Sequence, residues 1–357
     1  MNTVSLDGEG GVAHYYSVVK SFLGEGVEYF TVGGRGKKGI FSVIIRMLKD
    51  YIDFFSKLRS GNYDLVHLNP SLLSKAIVRD GIFLLIAKAM GKKVIVFMHG
   101  WDMGFERILR QYFLRLFRIT YLKADAFIVL SSEFKEKLID MGHRIFVFTE
   151  TTAVDEAIFI RTDDKIARSG KPAQNGEFNI LFLSRVEREK GVYEVIDAFV
   201  MLKSRHHSAT LTIAGDGGEL SNVRAYVLSR GIEGVEFSGY LRGEAKKCVF
   251  SKADVYLFPT YGEGMPISVL EAMAYGLPVI TRPVGGIKDF FADGEMGYIT
   301  ESLDPGVFAA LLERLITDPG MCRRMSEFNR RYAYDHFRAS QVAGRLLKIY
   351  GDVIGSA

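Results

Sequence analysis

Short runs of β-branched and aromatic residues alternate with longer stretches of helical periodicity along most of the chain, and this alternation restricts the fold more than any other feature. In the first half the runs are YFTV (29–32), DLVHLN (64–69), KVIVFMHG (93–100), AFIVLS (126–131) and IFVFT (145–149). The second half repeats the rhythm with FNILFLSR (178–185), ATLTIAGDG (209–217), VEFSG (235–239), VYLFPT (255–260), PVITRP (278–283) and GYIT (297–300). Strands separated by helix-length segments return in the same direction, so the pattern implies parallel sheets covered by helices on both faces. Its 357 residues exceed what one hydrophobic core usually serves. The sequence therefore reads as two doubly wound α/β domains, over 1–160 and 178–335. Between them, RTDDKIARSGKPAQNGEFN (161–179) is polar, contains Pro172 and lacks sustained apolar periodicity, which places a linker at 161–177. The closing segment, 336–357, is helical and basic enough on its surface to lie across the molecule rather than inside it.

Composition narrows the functional classes. Two cysteines, Cys248 and Cys322, with no spaced Cys/His set, exclude a disulfide framework and a zinc site and point to a reducing, cytoplasmic setting. The longest apolar runs, such as GIFLLIAKAM (81–90), are half of the roughly 20 residues that a membrane span needs. The net charge of +4 is uneven: residues 1–150 hold 21 Lys/Arg against 15 Asp/Glu, and the remainder 25 against 27. Two helical stretches concentrate the excess, 37–59 with six basic and two acidic residues and 105–123 with five and one, both interleaved with Phe, Tyr, Ile and Leu. Such helices suit the surface of an anionic membrane; the alternative is an ordinary sheet-covering helix with a solvated basic face. The excess is too modest, and too bare of recognition motifs, for nucleic-acid binding. A dinucleotide dehydrogenase is excluded because GEGGVA (8–13) lacks the G-x-G-x-x-G spacing.

The unusual residues cluster where strands end, and open α/β sheets bind ligands beyond the carboxyl ends of their strands. In VYLFPTYGEGMPISVLEAMAYG (255–276) the strand stops at Pro259, a glycine-flanked loop carries Glu263, and Pro266 stands where a first-turn proline starts a helix that Gly276 ends. The amides of Gly264 and Met265, with the helix dipole, form a site for an anionic group. Glu271 lies one to two turns into that helix among Leu270, Ala272 and Met273, where a carboxylate needs charge-assisted partners; ligand hydroxyls or a neighbouring loop's amides would serve. In LSRVEREKGVYEVIDAF (183–199), Arg185 follows a strand and Lys190 precedes the next helix. Two cations at a positive dipole end call for an anion such as a diphosphate, unless Glu187, Glu189 and Glu194 neutralise them locally. In the first domain SLDGEGGVAHYYSVVKSFL (5–23) gives a glycine turn, Gly10 and Gly11, through which backbone can approach phosphate or sugar, and His99 ends the strand VIVFMHG.

Taken together, EGMPISVLE (an E-x7-E element from Glu263 to Glu271), SRVEREKG, IAGDG, VEFSGYL and LPVITRPVGGIKDF resemble the retaining nucleotide-sugar glycosyltransferases of the GT-B fold, glycosyltransferase family 4 or "group 1" type. The resemblance spans the second domain; in the first it rests on GEGGVAHYY and MHG, and here only MNTVSL precedes the glycine turn, a shorter opening strand than the family's. It implies an α/β GT-B architecture: two Rossmann-like domains facing across a deep cleft, with the C-terminal helix crossing back to the N-terminal, acceptor-side domain. It further implies that Arg185 and Lys190 hold the donor diphosphate and that Glu271 accepts from ribose hydroxyls. Glu263 would accept from the transferred sugar beside the amides of Gly264 and Met265, and the backbone around Leu241 would meet the base. His99 would contact the sugar, and Gly10 and Gly11 the diphosphate. The implied reaction is retaining transfer, without metal or cofactor, from a nucleotide-sugar donor, with uridine favoured, to a lipid-linked or polysaccharide acceptor. The expected location is cytoplasmic, peripheral at the inner face of the membrane. A sugar-nucleotide epimerase of the same fold and a non-catalytic sugar-nucleotide-binding protein are the alternatives.

Overall fold

The computed structural model describes residues 1–4, 11–32, 40–72, 74–143, 146–160 and 178–356. The glycine turn with Gly10, and the segment 161–177 read as a linker, lie outside the described residues. The chain forms two compact units, Met1–Ala153 with Ala339–Ala357, and Val154–Arg338.

In chain order the first unit contains β1 (Asn2–Val4), α1 (Gly11–Val19), β2 (Tyr29–Thr31), α2 (Ile40–Ser60), β3 (Leu65–Leu68), α3 (Ser74–Ala89), β4 (Lys93–Met98), α4 (Met103–Ile108), α5 (Leu114–Tyr121), β5 (Ala126–Val129), α6 (Ser132–Asp140) and β6 (Val147–Thr149). A single π turn, Leu109–Phe113, joins α4 to α5. The strands make one parallel sheet in the order β2-β1-β3-β4-β5-β6. Strands β3 and β5 are buried throughout, which is why they read as unbroken apolar runs rather than alternating ones. The short opening strand expected from MNTVSL pairs in register with both neighbours, Asn2 opposite Tyr29 and His67.

The second unit holds α7 (Ala157–Ile160), β7 (Phe178–Leu183), α8 (Val192–Lys203), β8 (Ala209–Ala214), α9 (Leu220–Ser229), β9 (Val235–Gly239), α10 (Gly243–Lys252), β10 (Val255–Phe258), α11 (Ile267–Ala274), β11 (Val279–Thr281), β12 (Gly297–Ile299), α12 (Pro305–Thr317) and α13 (Pro319–His336). Its parallel sheet runs β12-β11-β10-β7-β8-β9. The order reverses between β7 and β10, so the connections leaving these two adjacent strands pass to opposite faces and open a crevice at their carboxyl ends. The loops after β7 and β10, which carry Lys190 and Glu263, flank that point.

Residues 154–160 belong with the second unit, earlier than the domain boundary read from the sequence, because α13 holds them. Val154 N donates to the Phe337 carbonyl (2.8 Å), Arg330 reaches the Phe159 carbonyl (3.4 Å), and the Phe159 ring meets Tyr334 edge-on. The last helix, α14 (Ala339–Gly355), is part of the first unit. Arg345 grips both oxygens of Glu150 at 2.9–3.1 Å, and Lys93 Nζ donates to the Ser356 carbonyl at 2.8 Å.

Candidate functional site

Strand β10 ends at Phe258 because Pro259 has no N–H for the ladder, and the chain turns into the loop that carries Glu263. Lys190, at the end of a 3-10 turn after β7, donates from Nζ to Glu263 Oε1 at 2.6 Å, joining the two loops across the strand-order switch. The buried Thr260 hydroxyl lies 3.1 Å from the same oxygen. Glu263 Oε2 has no partner among the described residues. A lysine as buried as Lys190 needs an anion, and Glu263 supplies it in the free protein. The glutamates adjacent to Lys190 in sequence act elsewhere: Glu187 accepts from the Gly218 amide (3.0 Å) and Glu194 from the Tyr261 hydroxyl (2.7 Å). Arg185, just beyond β7, is exposed and its side chain has no hydrogen bond or ion pair among the described residues. Gly191, at φ +79°, turns the chain into α8, whose positive end faces the same sheet edge.

Glu271 is buried on α11, eight positions after Glu263. Both its oxygens meet Lys246 Nζ of α10, at 2.7 and 2.6 Å. Lys246 supplies its charge partner, and a separation of 25 positions leaves no sequence signal for that pairing. Pro266 caps α11 one position ahead of the first helical residue, and Gly276, at φ +75°, follows its last turn as expected. Beneath the loop, the Tyr256 hydroxyl lies 2.8 Å from the Leu183 carbonyl and 2.7 Å from Ser268 Oγ, tying the ends of β7 and β10 to α11.

Glycines hold the crevice loops in close contact. Gly285, at φ +50°, backs onto the Glu263 loop so closely that an added Cβ would overlap the Glu263 and Gly264 carbonyls, and Gly286 N donates to the Gly264 carbonyl at 2.7 Å. Gly264 is half-buried and Met265 buried at the mouth of α11. Leu241 lies half-buried past the end of β9, at the same sheet edge two strands from β7.

In the first unit Gly11 opens α1, exposed, with open space around its Cα. His99 stands past the end of β4, its ring stacked on Phe97 at 3.8 Å and edge-on to Tyr15 at 5.2 Å. Its Nε2 lies 3.0 Å from Asn69 Oδ1, and enclosure among these rings lowers its pKa to about 3. Sequence reasoning did not single out Asn69, Tyr16, His67 or Lys246; the doublet Tyr15–Tyr16, buried in the helix after the glycine turn, is the one local sign of them.

Cationic and carboxylate side chains at the strand-order switch of a doubly wound unit stand where α/β proteins of this class bind their ligands. Two family models match consecutive parts of the chain: glycosyl transferases group 1 over residues 163–332, and glycosyltransferase family 4 over residues 17–157. The chain belongs to this group 1, family 4 class of glycosyltransferases. Among curated proteins, N-acetyl-alpha-D-glucosaminyl L-malate synthase of Bacillus anthracis is 26% identical over 302 residues, 82% of this chain and 74% of that one. Glycogen synthase of Mycobacterium tuberculosis is 28% identical over 181 residues, and the match spans 50% of this chain but only 43% of that protein's length. Among solved structures, sucrose-phosphate synthase from Thermosynechococcus elongatus superposes with a TM-score of 0.76 at 18% identity, over 100% of this chain and 99% of that one. Anabaena HepE, crystallised with UDP-glucose, gives 0.74 at 18% identity over 98% and 99%. The fold is GT-B, with two Rossmann-like units.

Proposed function

We propose that the chain is a retaining, metal-independent glycosyltransferase that moves a sugar from a nucleotide diphosphate, of the uridine type, to a lipid-linked or polysaccharide acceptor. The observation that carries this reading is the Lys190–Glu263 contact at the switch of the second sheet, with Glu271 buried one motif-length away. Arg185, Lys190 and the positive end of α8 neutralise the diphosphate, Arg185 through a guanidinium that has no competing partner among the described residues. Glu271 accepts from the ribose, and the backbone around Leu241 borders the base. Glu263 Oε2 accepts a hydroxyl of the transferred sugar beside the Gly264 and Met265 amides. His99 accepts another, and Gly10 and Gly11 bring backbone to the donor. Solved neighbours of the same fold in complex with UDP or UDP-glucose support uridine.

In the reaction, the bond from the anomeric carbon to the β-phosphate oxygen breaks with its electron pair leaving on the diphosphate. The acceptor hydroxyl attacks from the same face and gives its proton to that oxygen. Lys190 and Arg185 stabilise the charge that develops on the leaving group, and no carboxylate nucleophile is required.

The acceptor is placed at a membrane by the outer helices of the first unit. Helix α3 packs against both α2 and α5, and all three expose apolar residues at helical spacing: Ile45, Leu48, Ile52 and Phe55; Val78, Ile82 and Leu85; Leu116 and Ile119, with Tyr112 in the π turn just before α5. Ile45, Ile52 and Ile119 are each about two-thirds exposed, at 66, 67 and 65%. Exposed Lys49, Arg59 and Arg115 lie on the same helices, a combination that fits the cytoplasmic, anionic face of a bilayer. Among the described residues no helix is long and apolar enough to cross a membrane.

A thermal-shift panel of UDP, GDP and their sugars, followed by turnover with labelled donors, tests the function. Stabilisation by one nucleotide and transfer to an added acceptor are expected. Neither binding nor turnover would sink the reading; donor conversion without acceptor would favour an epimerase, and binding without turnover a non-catalytic protein.

A further inference from the structure

The side chains behind His99 form a continuous hydrogen-bonded chain that ends on the last helix. Asn69 Oδ1 lies 3.0 Å from His99 Nε2 and 2.8 Å from the Tyr16 hydroxyl, which donates to it. His67, almost fully buried in β3, faces the Tyr16 hydroxyl through Nε2 at 3.3 Å, hydrogen-bonds the Asn69 side chain, and meets the Tyr350 hydroxyl of α14 through Nδ1 at 2.7 Å. Two imidazoles, two phenols and one amide thus share a pocket closed by Tyr15 and Phe97.

Donor and acceptor counting assigns the protons. A neutral imidazole has one N–H and one lone pair, whereas an amide oxygen can only accept. A lone pair on His99 Nε2 would oppose the lone pairs of Asn69 Oδ1 at 3.0 Å, so that nitrogen carries the proton. His67 likewise turns its Nε2–H toward the Tyr16–Asn69 oxygens, which leaves its Nδ1 to accept from the Tyr350 O–H. With this assignment His99 Nδ1 retains a lone pair and has no partner among the described residues.

We propose that Asn69, backed by Tyr16, His67 and Tyr350, is a positioning residue that holds His99 as the neutral Nε2–H tautomer and presents its Nδ1 lone pair as acceptor for a hydroxyl of the transferred sugar. The sugar half of this statement rests on the transferase reading; the tautomer does not. The stack on Phe97 and the edge contact with Tyr15 fix the ring plane. Among the described residues the titratable groups facing His99 are Tyr15 and Tyr16 from α1 and His67 from β3, and none is a carboxylic acid. The Glu150–Arg345 pair acts on Tyr15 behind them. With no carboxylate among the described residues to hold an imidazolium, the ring is neutral at neutral pH and its Nδ1 is an acceptor.

The test uses the full chain labelled with 15N at histidine. In the native protein, the His99 resonances should show the Nε2–H tautomer and should not titrate between about pH 5 and 8, the range of an ordinary histidine. The Nδ1–H tautomer, or titration in that range, overturns the proposal whether or not transfer is detected. Asn69→Asp keeps an acceptor oxygen but adds a charge that favours imidazolium. It should raise the His99 pKa, lower kcat by about tenfold more than it changes donor KM, and add a new ionisation to the kcat–pH profile. Tyr350→Phe should lower kcat several-fold while circular dichroism remains native. Unchanged kcat and pH profile in both variants refutes the positioning role. Absence of transfer by the native enzyme refutes the sugar contact along with the transferase reading, and the tautomer is still decided by the spectra.

Discussion

Replacing Lys190 by methionine separates what the Lys190–Glu263 pair does for stability from what it does for the ligand. The substitution keeps most of the apolar stem but leaves the Glu263 carboxylate with the Thr260 hydroxyl as its sole side-chain partner among the described residues. Breaking a buried ion pair by removing one partner costs about 3 to 5 kcal/mol, and the lower end applies because the two side chains retain 9 and 16% exposure. For a unit the size of Val154–Arg338, about 3 kcal/mol corresponds to a fall of roughly 6 to 12 °C in melting temperature. Adding Glu263→Met removes the stranded charge, so the double variant should regain most of the loss. Binding should not return with it: on the proposed function each variant loses a charged group that contacts the donor, and UDP-sugar affinity should fall about tenfold or more in both. Thermal denaturation and titration calorimetry on native, single and double variants read the two quantities separately. A double variant no more stable than Lys190→Met, or either variant binding the donor like the native chain, refutes the reasoning.

Three further outcomes are expected. Gly285→Ala puts a Cβ into the Glu263 and Gly264 carbonyls at positive φ, so turnover should drop at least tenfold with circular dichroism retained; normal turnover would show that the loop tolerates the shift. Asp254, beside Asn179, has its pKa raised by burial from 3.8 to about 6. The folded state therefore holds a proton that the unfolded state has lost, and this group's contribution to stability declines as pH rises through about 4 to 6. Asp254→Asn should flatten that part of the melting profile, and an unaltered slope would contradict the assignment. Ile45→Glu with Ile52→Glu should abolish flotation with anionic vesicles while leaving the melting temperature near native, since both side chains already face water; undiminished flotation would exclude this face.

The two-sheet architecture was legible because parallel strands buried on both faces must be apolar along their length, as β3 and β5 are, and because each is followed by a helix-length segment. Lys190 and Glu263 were legible as strand-end residues, but not as partners: what joins them is the adjacency of β7 and β10, made by strand order rather than by spacing. Lys246 looked like one lysine among several on an exposed helix, and only folding brings it under Glu271. The hub at Asn69 depends on α1, β3, β4 and α14 meeting, so no window of sequence contains it. The basic helices were visible from composition, whereas the apolar stripe of α3 beside them was hidden by its overall hydrophobicity, which also suits a core helix.

The account depends most on a nucleotide diphosphate lodging at the switch of the second sheet with its ribose on Glu271. Calorimetric titration of UDP and its 2′,3′-dideoxy analogue into native and Glu271→Gln protein measures that contact. A charged hydrogen bond of about 1.5 to 3 kcal/mol predicts that the native chain prefers UDP by roughly ten- to a hundredfold and that the variant loses most of this preference. Equal preference in both proteins, or no UDP binding by either, would contradict the placement.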